Sequence, residues 1–538
     1  MRIIATAAVL LLSLPLSLSA GAAAPVYVLD GGARTIVRLD VQRGAVEAKA
    51  PLPFNEAPTD VFAAPDGKHL VVLSSGKNQN AAAAIVDAAT LTASPRIDLG
   101  RGAGDVAFSR DGKSVFVLSG ALFRIDLATG GVTKRLLDRP ADHFDVVDAA
   151  SGAVFETGGK HANGRLTFVS LDSLEILGTV DLHGKATDVA AIPGSGYLYA
   201  VGTSSVDVIS IAERKSVATV TIGNDAKLAG IDEATRSLFV LASNDQRNGV
   251  LYVIRGTSLA GTAVVGPGAP EFLRLTVDGK RALVGNPRAV TEVALEPEIA
   301  SRPPAVIYSG FVASSMTTIE ATSTPDGRRV LQLMRQGAKC CTLSIADPAE
   351  GRNVARMQAG RASRRIGQAL LALAATGASY AAGRADAKAH GRSTFDYSLY
   401  TPAASRNPRG AFAFGADGKT AYVLDSGTDT LTAVDVETGK RIADLDAPRD
   451  VVEVLRLGER TIVATGEKGL SLIDTASNVV SEKVDLHGEL HDLVVLPDAT
   501  SALALSKGDL ALIDGRAGKV TSRIAGFVDP VAVVWMEK

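Results

Sequence analysis

The chain has 538 residues, of which 46% are hydrophobic and 5% aromatic, and it carries 56 Lys and Arg residues against 58 Asp and Glu. This near-neutral balance gives no indication of a nucleic-acid partner or of binding to a charged membrane surface. The length allows two domains or one large repeat array, and the 53 glycines suit a chain with many tight turns.

The first 22 residues have the layout of a secretory signal peptide. Arg2 precedes the apolar run Ile3–Leu18, and Ala20-Gly21-Ala22 offers a cleavage site after Ala22. We therefore expect a signal peptide over 1–22 and a periplasmic or secreted mature chain, with an uncleaved anchor as the alternative. No later segment approaches 18 uninterrupted apolar residues, so we expect no membrane span after signal cleavage.

The stretch Gly104–Leu137 contains four short apolar runs separated by turn residues. Asp111-Gly112 joins the first pair of runs, and Thr129-Gly130-Gly131 joins the last pair. Such dipeptides mark hairpins because glycine adopts positive φ without steric cost. The stretch therefore predicts a four-stranded antiparallel sheet, which needs neighbours to cover its two faces.

Similar units recur along most of the chain. The predicted first strands begin near Asp60, Asp105, Asp145, Asp188, Leu228, Phe272, Thr317, Ala411, Val451 and Asp492. The first four of these positions are 45, 40 and 43 residues apart. A period of about 40 to 45 residues made only of strands is typical of propeller blades. The sequence predicts an all-β fold, a β-propeller of about eleven blade-like units.

The sequence is compatible with two arrangements of these units, one large ring or two smaller rings. We favour two rings, over 23–300 and 301–538, because most propellers have four to eight blades. The Pro-rich segment Glu296–Pro304 is the candidate join, or else a loop within a blade. The first unit lacks its first strand, and the lone final run at 530–537 would supply it and close the ring.

One interval is longer than a blade requires. Between Thr317 and Ala411 lies an Ala- and Leu-rich segment, 361–393, whose Ile366, Leu370 and Leu373 have helical spacing. This predicts a short helical insertion. The alternatives for this insertion are a segment packed into a gap on the ring face, a lid or partner-docking helix, and a partly disordered loop.

The repeats resemble the YVTN-type β-propeller family of bacterial periplasmic and surface-layer proteins. The resemblance rests on an Asp-Gly-Lys turn followed by an aromatic–valine pair, as in Asp111–Lys113 with Phe116-Val117 and Asp417–Lys419 with Tyr422-Val423. The segment Val434–Lys440 also matches. It implies a propeller fold and no single activity. Similar propellers serve as binding proteins, surface-layer proteins, lactonases and large subunits of amine dehydrogenases.

Aspartates recur where the chain enters the first strand of a repeat, at the loop face of a propeller. This acidic loop set comprises Asp60, Asp105, Asp145, Asp188 and Asp492, together with Asp450. Each carboxylate can accept backbone N–H bonds from a neighbouring turn. If several of them point inward, they form an acidic funnel that favours a cation or an amine.

Four of the seven histidines lie in the same loops: His143, His183, His487 and His491. If the loop is extended at His487, Glu489 and His491, these three side chains face one way. Two imidazoles and a carboxylate could hold a divalent metal such as zinc, copper or iron. The alternative is that the histidines face solvent or bond to turns.

Cys340 and Cys341 are adjacent and are the only cysteines. In an oxidising compartment they could form a vicinal disulfide. The alternatives are a redox-active pair or a soft-metal site with Met334 or Met357, and two reduced thiols.

The sequence favours a binding scaffold for a protein or small ligand on the loop face of the propeller. The alternatives are a metal-dependent, lactonase-like hydrolase with a His/Asp-lined channel mouth, and the large subunit of a redox enzyme whose cofactor sits on a partner chain. No catalytic residue is identified, and no cofactor motif is present: there is one Trp, Trp535, and no C-x-x-C-H haem attachment.

Overall fold

The computed structural model describes residues 24–536, except for 75–79, 102, 157–162, 185, 277–278, 287, 296–304, 312–315, 337–338, 359–409, 426–429, 449–450 and 452. The predicted signal peptide (1–22), the helical insertion (361–393), the Pro-rich segment (296–304) and Asp450 lie outside the described residues. Within them, 44 strands form eleven four-stranded antiparallel sheets.

Each sheet is one blade. Blade 1 contains β1 (Val26–Asp30), β2 (Thr35–Asp40), β3 (Ala45–Pro51) and the last strand, β44 (Pro530–Trp535). Blade 2 contains β4 (Asp60–Ala63), β5 (His69–Ser74), β6 (Asn80–Asp87) and β7 (Ile97–Arg101). Blade 3 contains β8 (Ala103–Phe108), β9 (Ser114–Ser119), β10 (Ala121–Asp126) and β11 (Val132–Leu136). Blade 4 contains β12 (Ala141–Val146), β13 (Ser151–Glu156), β14 (Arg165–Ser170) and β15 (Ile176–Asp181).

The next four blades follow in chain order. Blade 5 contains β16 (Ala186–Ala191), β17 (Tyr197–Gly202), β18 (Ser205–Ser210) and β19 (Lys215–Thr221). Blade 6 contains β20 (Asn224–Asp232), β21 (Ser237–Ser243), β22 (Asn248–Arg255) and β23 (Ser258–Pro267). Blade 7 contains β24 (Phe272–Leu275), β25 (Arg281–Asn286), β26 (Ala289–Ala294) and β27 (Ala305–Phe311). Blade 8 contains β28 (Met316–Ser323), β29 (Val330–Gln336), β30 (Lys339–Asp347) and β31 (Arg352–Gln358).

Three blades complete the ring. Blade 9 contains β32 (Phe412–Phe414), β33 (Thr420–Asp425), β34 (Thr430–Asp435) and β35 (Arg441–Asp446). Blade 10 contains β36 (Glu453–Leu457), β37 (Thr461–Gly466), β38 (Gly469–Asp474) and β39 (Val479–Asp485). Blade 11 contains β40 (Leu490–Val495), β41 (Ser501–Ser506), β42 (Asp509–Asp514) and β43 (Lys519–Ala525). From the inner edge outward, the strands of each blade are named A, B, C and D.

The blades form one ring. Apolar clusters join each blade to the next, and a cluster containing Val26 and Leu503 joins blade 11 to blade 1. The ring is completed within blade 1, where β44 pairs antiparallel with β1 and Val26 lies opposite Trp535. The all-β propeller prediction is confirmed, and the preference for two rings over one is wrong.

Two kinds of turn end the strands of blade 3. In the A-to-B turn, the Asp111 carboxylate accepts the Lys113 N–H at 3.1 Å, and Gly112 has a φ of 69°. In the C-to-D turn, the Asp126 carboxylate accepts the Thr129 N–H at 2.8 Å, and Gly130 has a φ of 71°. Asp supplies the local acceptor and Gly the left-handed backbone, so these residues fix where the strands of this blade end.

The B and C strands form the core because neighbouring blades cover both of their faces. All six residues of β9, β13 and β37 are buried, whereas outer strands such as β43 alternate between exposed and covered residues. A tyrosine links some blades across this core: the Tyr27 hydroxyl donates to the Ala88 carbonyl in the C-to-D turn of blade 2, at 3.0 Å.

Candidate binding face

The direction of the strands places the connections on two opposite faces. The D-to-A connections and B-to-C hairpins form one face, which we call the loop face, and the A-to-B and C-to-D turns form the other, the turn face. Most of the aspartates and histidines singled out in the sequence lie at or beside the D-to-A connections, whereas Asp145 lies at the other end of its A strand, next to the A-to-B turn. The loop face is therefore the candidate site.

The acidic loop set lies in the A strands, and most of its carboxylates accept backbone N–H groups. Asp145, Asp188 and Asp492 each accept the N–H of the following residue, at 2.6, 3.0 and 2.7 Å. Asp60 accepts the Thr59 hydroxyl at 2.9 Å. Asp145 and Asp188 are buried, and these bonds lie within their own A strands.

Asp105 joins two blades. Its carboxylate lies 2.9 Å from Nδ1 of His143 and accepts the N–H of Phe144 at 3.2 Å, both on β12 of blade 4. The His143 ring also stacks on Phe155, with ring centres 6.2 Å apart. These contacts make His143 and Asp105 a buried inter-blade pair.

Glu320 in blade 8 likewise joins neighbouring blades through polar contacts, and the sequence analysis did not identify it. Its Oε1 lies 2.7 Å from Nη1 of Arg274 in blade 7, and its Oε2 accepts the Ala411 N–H at 2.8 Å, next to blade 9. Its position in the repeat could have identified it, because Glu320 is a carboxylate in an A strand, where other repeats carry aspartate. One side chain therefore bridges three consecutive blades.

His183 forms an exposed dyad with a buried carboxylate. The imidazole is 60% exposed, whereas Asp207 on the C strand of blade 5 is 5% exposed. Nδ1 of His183 lies 2.8 Å from Asp207, which also accepts the His183 N–H at 2.8 Å and the Thr219 hydroxyl at 2.8 Å. Nε2 has no hydrogen-bond partner among the described residues and is turned towards solvent.

His487 repeats this arrangement six blades further along the ring. It is 75% exposed, and its Nδ1 lies 2.9 Å from Asp509, a 7% exposed carboxylate on the C strand of blade 11. Asp509 also accepts the Ser506 hydroxyl at 2.5 Å. Both dyads follow the same local sequence, Asp-Leu-His-Gly, in which the leucine is buried between blades and the histidine stays on the surface.

The histidines proposed as metal ligands do not converge. The chain bends at His487 and Gly488 instead of running extended, and His491 turns to the Pro530 carbonyl of blade 1, at 3.3 Å. Glu489 between them is exposed. Within the described ranges, no group of three or more His, Cys, Asp or Glu side chains is arranged to hold a metal ion.

The two exposed dyads lie on opposite sides of the ring. His183 sits between blades 4 and 5, and His487 between blades 10 and 11, so the arcs between them span five and six blades. Packed sheets stand about 10 Å apart, so eleven of them enclose a circle roughly 35 Å across at mid-blade. One small ligand cannot reach both imidazoles, whereas a protein surface can.

Cys341 is buried in β30 of blade 8 and is disulfide-bonded. Cys340 is the only other cysteine of the sequence, and its side chain lies outside the described residues. The vicinal pairing therefore stays a prediction.

No protein-family model matches the sequence, and no curated protein matches it. Three solved structures are similar to the chain. The dihydro-heme d1 dehydrogenase NirN has a TM-score of 0.35 and 16% identity over 62% of this chain and 73% of its own. The C-terminal WD40 domain of Sif2 has a TM-score of 0.36 and 12% identity over 57% and 89%. A eukaryotic initiation factor has a TM-score of 0.43 and 10% identity over 96% and 98%.

The propeller fold follows from the strand order of the eleven sheets. In the part of the chain that the structure describes, no helix is long and apolar enough to cross a membrane.

Proposed function

We propose that this protein is a periplasmic or secreted propeller that binds a partner protein across its loop face. The proposal rests on two dyads, His183–Asp207 and His487–Asp509. They present two oriented imidazoles on opposite sides of one face. A side chain held in place before binding loses little conformational entropy when a partner arrives. The signal-like residues 1–22 and the similarity of the repeats to the YVTN type support the extracytoplasmic location.

The chemistry of the dyads suits hydrogen bonding to a partner. The buried aspartate fixes the ring orientation through Nδ1, so Nε2 points outward as the remaining donor or acceptor. Two such groups across a ring roughly 35 Å wide match the dimensions of a protein interface better than those of a small-molecule pocket.

Site-specific photo-crosslinking tests this proposal. A photoreactive amino acid placed at Glu489, exposed on the loop face beside His487, should capture a discrete partner in cells of the source organism. The same amino acid placed at Lys113, exposed on the turn face, should not. The double variant His183→Ala/His487→Ala should lose the Glu489 crosslink, and a crosslink that persists unchanged in that variant would refute the role of the dyads.

No observation favours the metal-dependent hydrolase. That function needs converging ligands, and the four loop histidines instead bind Asp105, Asp207, Asp509 and the Pro530 carbonyl. The redox-subunit alternative likewise has no supporting contact among the described residues.

A further inference from the structure

A cavity opens on the turn face, away from the histidine dyads. The A-to-B turn of blade 4 has four residues, 147–150, whereas those of blades 3 and 5 have five each, 109–113 and 192–196. The shorter turn leaves a recess between its neighbours, and a cavity of about 540 Å³ lies there. This volume falls in the range of about 300–1,000 Å³ that is typical of small-molecule sites.

The cavity has an apolar interior. Phe108, Val147 and Ile192 line it with side chains that are at most 7% exposed, and Ile211 adds a further aliphatic wall. Gly196, in the blade 5 turn, has a φ of 76°, and a Cβ added there would meet no atom within 4 Å. The space above this glycine is therefore open to a ligand.

Arg110 provides a positive charge at the cavity. It occupies the turn position that is proline in four other repeats, at Pro65, Pro193, Pro325 and Pro497. The turn therefore does not depend on the arginine. Its Nη2 donates to the Val147 carbonyl at 3.1 Å, and no carboxylate lies within ion-pair distance of it among the described residues. The guanidinium is exposed and keeps N–H donors available for a carboxylate.

Asp148 provides a negative charge on the same lining, which also includes Asp145, a buried side chain whose carboxylate accepts the Val146 N–H at 2.6 Å. Its carboxylate accepts the Ala150 N–H, the Ser151 N–H and the Ser151 hydroxyl, at 2.7, 2.7 and 2.5 Å. Burial works to raise the pKa of Asp148, but these hydrogen bonds outweigh it and hold the pKa below its usual value. A carboxylate has about four lone-pair positions, so one remains for an incoming donor.

We infer that this cavity binds a small zwitterion with an aliphatic body, such as a free apolar amino acid. Its carboxylate pairs with Arg110, its ammonium with Asp148, and its side chain packs on Phe108, Val147 and Ile192. Opposite charges on one apolar lining discriminate against molecules that carry only one of the two charges, because the unmatched group loses water without gaining a partner.

Isothermal titration calorimetry on the full chain tests the inference with three probes: L-leucine, 4-methylpentanoate, which lacks the ammonium, and 3-methylbutylamine, which lacks the carboxylate. Leucine should bind saturably at one site, and each analogue should bind at least ten-fold more weakly. Arg110→Gln should weaken leucine binding at least ten-fold. Lys113→Gln, in the same turn but outside the cavity lining, should bind leucine as the wild type does.

Three results would overturn the inference. The first is no saturable leucine binding by protein whose melting temperature shows that it is folded. The second is equal leucine affinity in Arg110→Gln and wild type, and the third is an analogue that binds as tightly as leucine. Because the cavity and the dyads lie on opposite faces, the crosslinking result at Glu489 bears on none of these three results.

Discussion

Nδ1 of His143 lies 2.9 Å from a carboxylate oxygen of Asp105, and this contact joins the A strands of blades 3 and 4. The side chains are 13% and 10% exposed. The same carboxylate accepts the Phe144 N–H. This polar pair adds to the apolar packing between the two blades and fixes the position of one A strand along the next.

Asp105→Ala should therefore lower the free energy of unfolding. The buried Phe144 N–H and the His143 ring would lose their acceptor, and an unsatisfied buried group costs about 1–3 kcal/mol. Urea denaturation of the full chain measures the loss. Asp446→Ala is the matched control, because Asp446 is 80% exposed and its ion pair with Lys483 should contribute less than about 1 kcal/mol. Equal effects of the two substitutions would contradict the inter-blade role.

The buried tyrosines offer a comparison within one chain. Tyr27 donates to Ala88, and Tyr422 donates to Asn478 at 2.6 Å, whereas the buried Tyr199 hydroxyl has no partner among the described residues. Tyr27→Phe and Tyr422→Phe should each cost about 1 kcal/mol. Tyr199→Phe should cost less than either, because burial, which raises the pKa of Tyr199 to about 12 against a smaller opposing effect of Ser195, also penalises the hydroxyl. A loss of stability in Tyr199→Phe matching the others would contradict this.

The four-stranded blade could be predicted from the sequence, but the arrangement of the blades in one ring could not. The Asp111-Gly112 and Asp126/Gly130 turns specify strand ends locally, so the four-stranded unit follows from short-range chemistry. The number of blades was predicted correctly, but how many of them share one ring depends on the wedge angle between neighbouring sheets, which no local sequence pattern encodes. Eleven units therefore suggested two rings, where the structure has one.

The sequence predicted only part of the candidate site, for a similar reason. The sequence placed His183 and His487 at the loop face, but it did not identify their partners. Asp207 and Asp509 lie 24 and 22 residues further on, inside C strands of the following blades. Such pairs are defined only once neighbouring blades are packed, since strand register and blade contact together bring the side chains within 3 Å.

Glu156 makes stability depend on pH in an unusual direction for a carboxyl group. Burial raises its pKa, and the Thr167 hydroxyl, at 3.2 Å, offsets this only in part. The folded state therefore holds the Glu156 proton to higher pH than the unfolded state, so ionisation costs stability above the folded pKa and the cost disappears as pH falls through it.

Glu156→Gln should accordingly raise the melting temperature at pH 7, and the difference from wild type should shrink as the pH approaches 4. Differential scanning fluorimetry across this range measures both curves. Glu489→Gln, at an exposed position, is the control and should leave the curve unchanged. A Glu156→Gln variant that is less stable than wild type at pH 7 would show that the ionised carboxylate contributes to the fold.

Metal addition should leave the stability of the protein unchanged. His487 and His491 bind a carboxylate in blade 11 and a carbonyl in blade 1, so the two imidazoles do not form one coordination site. Zinc or copper should therefore cause no shift in melting temperature beyond that seen in His487→Ala/His491→Ala. A metal-linked rise in wild type that the double variant lacks would restore the metal-site hypothesis.

Closure of the ring within blade 1 should be critical to the stability of the protein. β44 pairs with β1 along five residue pairs from Val26–Trp535 to Asp30–Pro530, and Val533 and Val534 pack into the clusters on either side of the blade. Deleting residues 530–538 would expose the inner edge of β1 and open both clusters. An unpaired apolar edge promotes association between chains, so the truncated protein should melt at lower temperature and elute as aggregates in size-exclusion chromatography. Deleting only 537–538, beyond β44, should leave both properties unchanged, and a monomeric, equally stable 530–538 deletion would mean that the ring does not depend on this strand.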